Sequence, residues 1–221
     1  LYRLVGSEMC IRDRSFTSEN DEVIIPTPWY FNHHMWLQMA GVKSIPLDTD
    51  ANMNPIIEKA EALITDRTRA IVLVSPNNPS GAIYSNQLLQ KFFDLCKSNQ
   101  IRLIIDETYK DFHPNASQPH TLLENNNWDQ VLTILYSFSK TYRMTGHRIG
   151  ALLTSKENLI EIEKALDTFT VCPPQLGQYA ANWGLNNLEA WAAERRTEIL
   201  QRAKHFSCLL YTSDAADDVE C

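Results

Sequence analysis

The 221-residue chain carries 20 Lys and Arg against 27 Asp and Glu, a formal charge of −7. An acid excess of this kind argues against a nucleic-acid face. No apolar run approaches the roughly 20 residues that a membrane-crossing helix needs.

The two ends stand apart from the rest. Residues 1–14, LYRLVGSEMCIRDR, and 208–221, CLLYTSDAADDVEC, show no helical or strand periodicity that fits their neighbours. Both resemble the conceptual translation of sequencing-library adapters, and they are set aside as non-native tails. Residues 15–207 then form one incomplete domain, a piece of something longer. Without the tails the balance is 17 Lys and Arg against 21 Asp and Glu, and of five cysteines only Cys96 and Cys172 stay. Two isolated cysteines suggest neither a disulfide framework nor a zinc site, so a reducing cytoplasm is the expected compartment. The segment is long enough for one sizeable core.

Glu22 to Ile25 reads as a short strand, and Asn32 to Ala40 as a helix ending at Gly41,. Val42 to Leu47 is strand-like. Asn54-Pro55 is expected to open the next helix, with asparagine capping and proline in the first turn. Arg69 to Ser75 contains AIVLV, a continuous apolar run typical of a strand buried on both faces. Ser85 caps a helix to about Asn99, with Leu88, Leu89, Phe92, Leu95 and Cys96 on one stripe. Strands follow at Ile101 to Ile105, Val131 to Tyr136 and Arg148 to Thr154. From Ser155 the pattern is helical, broken at Cys172-Pro173-Pro174 and running through Trp191 to His205.

Strands alternating with amphipathic helices imply an α/β fold: a mainly parallel sheet in a three-layer α/β/α arrangement. Ligands of such folds bind beyond the carboxyl ends of the strands. Asn78 follows one strand, Asp106 and Tyr109 the next, and Ser137 to Lys140 another. Taken singly each has an ordinary explanation. SPNNPSG, residues 75–81, is turn-like, a carboxylate at a strand end is common, and most lysines are solvated. Their order is less ordinary: an asparagine-proline-glycine loop, then Asp with Tyr three residues on, then Ser-x-Ser-Lys, then Arg148, after successive strands.

With PTPWY at 26–30, NNPSG at 77–81, DETYKDF at 106–112 and SFSKTYRMTGHRIG at 137–150, the chain resembles the class I/II aminotransferases, which are fold-type I pyridoxal-phosphate enzymes. The resemblance implies the large, cofactor-binding domain of the fold-type I transferases, with pyridoxal 5'-phosphate as cofactor and an amino acid and a 2-oxo acid as substrates. It implies that Lys140 holds the cofactor aldehyde as a Schiff base and shuttles protons, which suits a lysine whose pKa is lowered locally. Asp106 would pair with the pyridine nitrogen. Asn78 and Tyr109 would bond the ring oxygen, and Ser137, Ser139 and Arg148 the phosphate. Tyr30 would stack on the ring, with Trp29 as the alternative stacker. The resemblance also implies cis bonds at Thr27-Pro28 and Asn78-Pro79, and a homodimeric parent. A phosphate loop before residue 15 and a substrate-binding arginine after residue 207 would complete the sites, so the segment alone is expected to be poorly active.

Other readings compete. His33-His34 with Trp36 reads as partly buried helix surface rather than a metal site, because adjacent histidines point to different sides of a helix. Tyr136 and Lys140 share the Y-x-x-x-K spacing of short-chain dehydrogenases, but the tyrosine ends a strand and no Gly-x-Gly-x-x-Gly is present,. The same cofactor domain serves as a sensor in transcriptional regulators and as a catalyst in lyases and decarboxylases, since fold does not fix reaction.

Overall fold

A computed structural model describes residues 2–5, 16–115, 118–169 and 171–214. Seven strands form one sheet: β1 (Tyr2–Val5), β2 (Glu22–Pro26), β3 (Lys43–Leu47), β4 (Thr68–Val74), β5 (Arg102–Asp106), β6 (Leu132–Ser137) and β7 (Gly150–Leu153). Their order is β1-β7-β6-β5-β4-β2-β3. The pairs β2–β3, β2–β4, β4–β5 and β5–β6 are parallel, while β7 runs antiparallel to both β6 and β1. The helices are α1 (Phe31–Met39), α2 (Ile57–Leu63), α3 (Asn86–Ser98), α4 (Lys156–Phe169), α5 (Gln175–Asn187) and α6 (Glu189–Asp214). None among the described residues is long and apolar enough to cross a membrane.

The pleat sorts side chains onto two faces. Ile24, Ile71, Leu103 and Leu132 lie side by side across β2, β4, β5 and β6. They join one buried cluster with Ala60 of α2 and Leu89, Phe92, Phe93 and Cys96 of α3. The alternate residues Val23, Ala70, Val72 and Ile104 face the other way, onto Leu37 of α1 and Ile162 and Leu166 of α4. This is the three-layer α/β/α arrangement, and it explains why the strands read as unbroken apolar runs. Each fully buried large side chain contributes about 1.5–3 kcal/mol through water removal. A third cluster, Tyr136, Phe138, Met144, Ile149 and Ala181, seats α5 beneath the segment that carries Lys140.

Local chemistry explains several boundaries. Ser85 caps α3 as expected, its side chain accepting from the Leu88 N–H,. The stripe on α3 also includes Phe93, which is buried. The expected cap at Asn54-Pro55 does not form: the Asp50 carboxylate accepts the N–H groups of Asn52 and Asn54, and α2 starts only after Ile56. That side chain makes a turn of its own, leaving Asn54 no part in starting the helix. Strand β7 is shorter than expected because Arg148 sits in the left-handed region at φ 51°. The β5–β6 crossover is built from three 3₁₀ turns, Lys110–Phe112, Leu122–Glu124 and Trp128–Gln130, in place of an α-helix.

Two described elements fall in the segments set aside as tails: β1 pairs with β7 from Tyr2 to Val5, and α6 extends to Asp214. An exposed sheet edge accepts any extended segment without needing apolar alternation, so β1 has no periodic signature. The peptide bonds Thr27-Pro28 and Asn78-Pro79 are cis as expected, and so is Ser75-Pro76.

Candidate active site

Strand register decides what meets at the carboxyl end of the sheet. Asp106 ends β5 opposite Val74 of β4 and Leu135 of β6, and all three line one cavity. Around them the loops bring Tyr30 from the β2–α1 turn, Asn78 from the β4–α3 loop, and Tyr109 from beyond β5. Ser137, Ser139, Lys140 and Arg148 come from the β6–β7 connection. All eight residues singled out in the sequence therefore share this cavity. Trp29 does not line it; its ring packs at 4.9 Å and 17° on His34.

The loop after β4 is braced so that Asn78 faces inward. Asn77 is buried, and its carboxamide donates to the Tyr84 hydroxyl and accepts from both the N–H and the hydroxyl of Ser80. Gly81 closes the turn at φ 75° and donates to the Asn77 carbonyl, a conformation that favours glycine. Asn78 Nδ2 then lies 3.5 Å from the Tyr109 hydroxyl. The Tyr109 ring in turn has Lys140 Nζ 5.9 Å from its centroid.

Asp106 is the most enclosed charge in the cavity, 6% exposed. Nε2 of His33 lies 3.1 Å from its Oδ2, and Thr108 donates its N–H at 2.9 Å and its hydroxyl at 2.6 Å to Oδ1. Burial alone would raise the carboxyl pKa, but the His33 hydrogen bond and charge, together with the Thr108 bonds, outweigh it and hold the group below its ordinary value,. The carboxylate is thus kept ionised in a site where an unpaired one would be costly.

His33 corrects the expectation of a partly buried helix surface. It is fully buried, one turn from the buried Leu37, so both face the sheet,. Its neighbour His34 points away and meets the Ser44 hydroxyl at 3.0 Å. Thr108, Asn32 and Tyr136 also line the cavity without having been singled out as site residues. Asn32 donates to the Tyr30 hydroxyl at 2.8 Å. Tyr136 donates to the Asp111 carboxylate, and burial and that negative neighbour raise its pKa far above the ordinary phenol range. Its position at a strand end, bonded away from Lys140, removes the Y-x-x-x-K helix pairing.

The rim is looser. Lys140 and Arg148 are exposed, Ser139 donates its N–H to the Ser137 hydroxyl at 3.3 Å, and Arg148 Nη1 donates to the Thr145 carbonyl at 3.0 Å. The cavity therefore combines a buried carboxylate, flanking aromatic rings, an amine, and hydroxyl and guanidinium donors near its mouth. The residues present fit a phosphorylated heteroaromatic aldehyde: the carboxylate could hold a protonated ring nitrogen, a tyrosine could cover a ring face, the amine could hold the aldehyde and the rim donors could hold the phosphate.

Comparison with known proteins gives a consistent picture. The family model described as aminotransferase class I and II matches residues 9–216. Aromatic-amino-acid aminotransferase 2 of Thermococcus litoralis is 28% identical over 193 residues, covering 85% of this chain and 49% of the relative. The aspartate aminotransferase of Rhizobium meliloti is 34% identical over 190 residues, covering 84% and 46%. Among solved structures, the aromatic aminotransferase from Pyrococcus horikoshii OT3 superposes with a TM-score of 0.85 at 24% identity, covering 93% of this chain and 56% of that one. The chain spans about half the length of the curated relatives it matches.

Proposed function

The chain belongs to the family of class I and II aminotransferases, and from that premise we propose that it forms the cofactor-binding part of a pyridoxal-phosphate-dependent enzyme that moves an amino group between an amino acid and a 2-oxo acid. The observation that carries this reading is the convergence of Lys140, the hydrogen-bonded Asp106 and the hydroxyl and guanidinium donors in one cavity. The named relatives favour a catalyst over the sensor-domain alternative. With the reading go pyridoxal 5'-phosphate as cofactor and a homodimer as the parent assembly.

When bound, pyridoxal phosphate supplies an aldehyde that takes up the amino group and a ring that accepts electrons from the substrate α-carbon. Lys140 would hold the aldehyde carbon and, once displaced by the substrate amine, carry the α-proton as its free base. Asp106, ionised and desolvated, would keep a proton on the ring nitrogen, with His33 and Thr108 hydrogen-bonded to its oxygens. Asn78 and Tyr109 would donate to the ring oxygen, and Tyr30, tied through its hydroxyl to Asn32, would cover one ring face. Ser137, Ser139 and Arg148 would hold the phosphate, Arg148 with a permanent charge and a planar fork of donors.

The test is amino-group transfer. The full-length parent is supplied with pyridoxal 5'-phosphate, aspartate or an aromatic amino acid as donor, and a 2-oxo acid as acceptor; cofactor-dependent formation of the matching 2-oxo acid is expected from it and little from residues 15–207 alone, and elimination or decarboxylation products in its place would redirect the reading. A non-native origin for residues 1–14 and 208–221 is a separate proposal, resting on their adapter-like sequence. Re-reading the source DNA across the junctions at 14–15 and 207–208 tests it, and native sequence continuing through either removes it.

A further inference from the structure

We infer that Thr108 is a positioning residue, whose side-chain hydroxyl sets the direction in which the Asp106 carboxylate faces the cavity. The inference rests on the cofactor reading above for its functional meaning, but its geometry stands independently. Beyond the end of β5 the alternation of the strand continues for two residues. Asp106 faces the cavity; Glu107 is buried on the far side, its Oε1 2.6 Å from Nε2 of the buried His120; Thr108 returns to the cavity. The backbone there is held by the Glu107 N–H on the Leu135 carbonyl at 2.8 Å. That fixes the Thr108 side chain beside Asp106.

An ionised carboxylate has about four lone-pair directions. Thr108 fills two on Oδ1, with its N–H at 2.9 Å and its hydroxyl at 2.6 Å, and His33 fills one on Oδ2 at 3.1 Å. One direction is left for a ligand. The terminal torsion of an aspartate is broad and nearly two-fold, so a single donor to each oxygen leaves the group free to rock. The second donor on Oδ1 removes that freedom. Valine has nearly the volume of threonine and would leave the packing in place, so the hydroxyl is the part of Thr108 that matters here.

The test compares Thr108→Val, which deletes the hydroxyl, with Thr108→Ser, which keeps it, in the whole chain. The first readout needs no cofactor: the Asp106 carboxyl carbon is followed by NMR through an acid titration. Thr108→Val is expected to titrate at higher pH than the parent, and Thr108→Ser close to it. The second is affinity for pyridoxal 5'-phosphate, expected to weaken about three- to tenfold in Thr108→Val for one lost hydrogen bond and to recover in Thr108→Ser. Unchanged titration in Thr108→Val, or a Thr108→Ser variant that behaves like it, overturns the inference. Should Thr108→Val not fold, the Thr108→Ser and Thr108→Ala pair is read the same way, and parent-like titration in Thr108→Ala overturns it. Failure of the cofactor reading looks different: Asp106→Asn would leave cofactor affinity untouched while the titration difference persisted.

Discussion

At the floor of the cavity Asp106 is buried and takes three hydrogen bonds from His33 and Thr108, whereas at the rim Lys140 and Arg148 are exposed and Arg148 spends one N–H on the Thr145 carbonyl. The contrast follows from solvent. A buried charge has to find its partners within the fold, because an unpaired one costs several kcal/mol. An exposed lysine or arginine is satisfied by water until a ligand arrives. The floor is therefore set by the fold itself, through bonds from the helix that carries His33 and the turn that carries Thr108, and the rim is open to what binds. The proposed chemistry, which would need a fixed charge at the ring nitrogen and an accessible amine at the reacting carbon, suits that division.

Substitutions sharpen the contrast because floor and rim should fail differently. The largest effect is expected from Lys140→Ala, which removes the only amine lining the cavity among the described residues; covalent cofactor capture should vanish while the unfolding curve barely moves, since exposed side chains contribute little to stability. Asp106→Asn should weaken cofactor affinity about 10- to 150-fold, for a lost charged hydrogen bond of about 1.5–3 kcal/mol, read by equilibrium binding. A smaller loss, about three- to tenfold, is expected for Arg148→Lys, which keeps the charge but gives up the planar fork. Comparable losses for Asp106→Asn and Arg148→Lys would erase the distinction between floor and rim.

The smallest effect concerns acid. The Asp106 carboxyl lies below its ordinary value in the folded chain, so its contribution to stability is present above the unfolded carboxyl pKa, near 3.9. It is lost as pH falls through the lowered folded value. Urea unfolding at a series of pH values below about 4 should show a shallower loss of stability in Asp106→Asn than in the parent. Parallel curves would mean that the floor is not held as described.

Much of this was legible in the sequence, for physical reasons that also mark where legibility ends. AIVLV and LTILY read as buried strands because both faces of the sheet are covered, and the eight site residues could be named because PTPWY, NNPSG, DETYKDF and SFSKTYRMTGHRIG resemble the motifs of the class I/II aminotransferases. Apolar runs carry no direction, so the antiparallel course of β7 was not visible. Nor was β1, an edge strand without alternation. His33 was placed on a helix surface because adjacent histidines diverge, which does not say which of them turns inward. Its spacing of four from Leu37, the other buried residue of α1, was the signal available. Thr108 offered less, since a threonine after an Asp-Glu pair has no periodic signature; only the turn beyond β5 brings its hydroxyl to the carboxylate. Asn54-Pro55 misled because Asp50, four residues earlier, had already captured the backbone.

The most direct measurement is reductive trapping. The chain is incubated with pyridoxal 5'-phosphate, reduced with borohydride, digested and mapped by mass spectrometry. A single stable adduct on Lys140, lost in Lys140→Ala, is the predicted result. Label spread over surface lysines, or no label on the peptide that carries Lys140, would contradict the account.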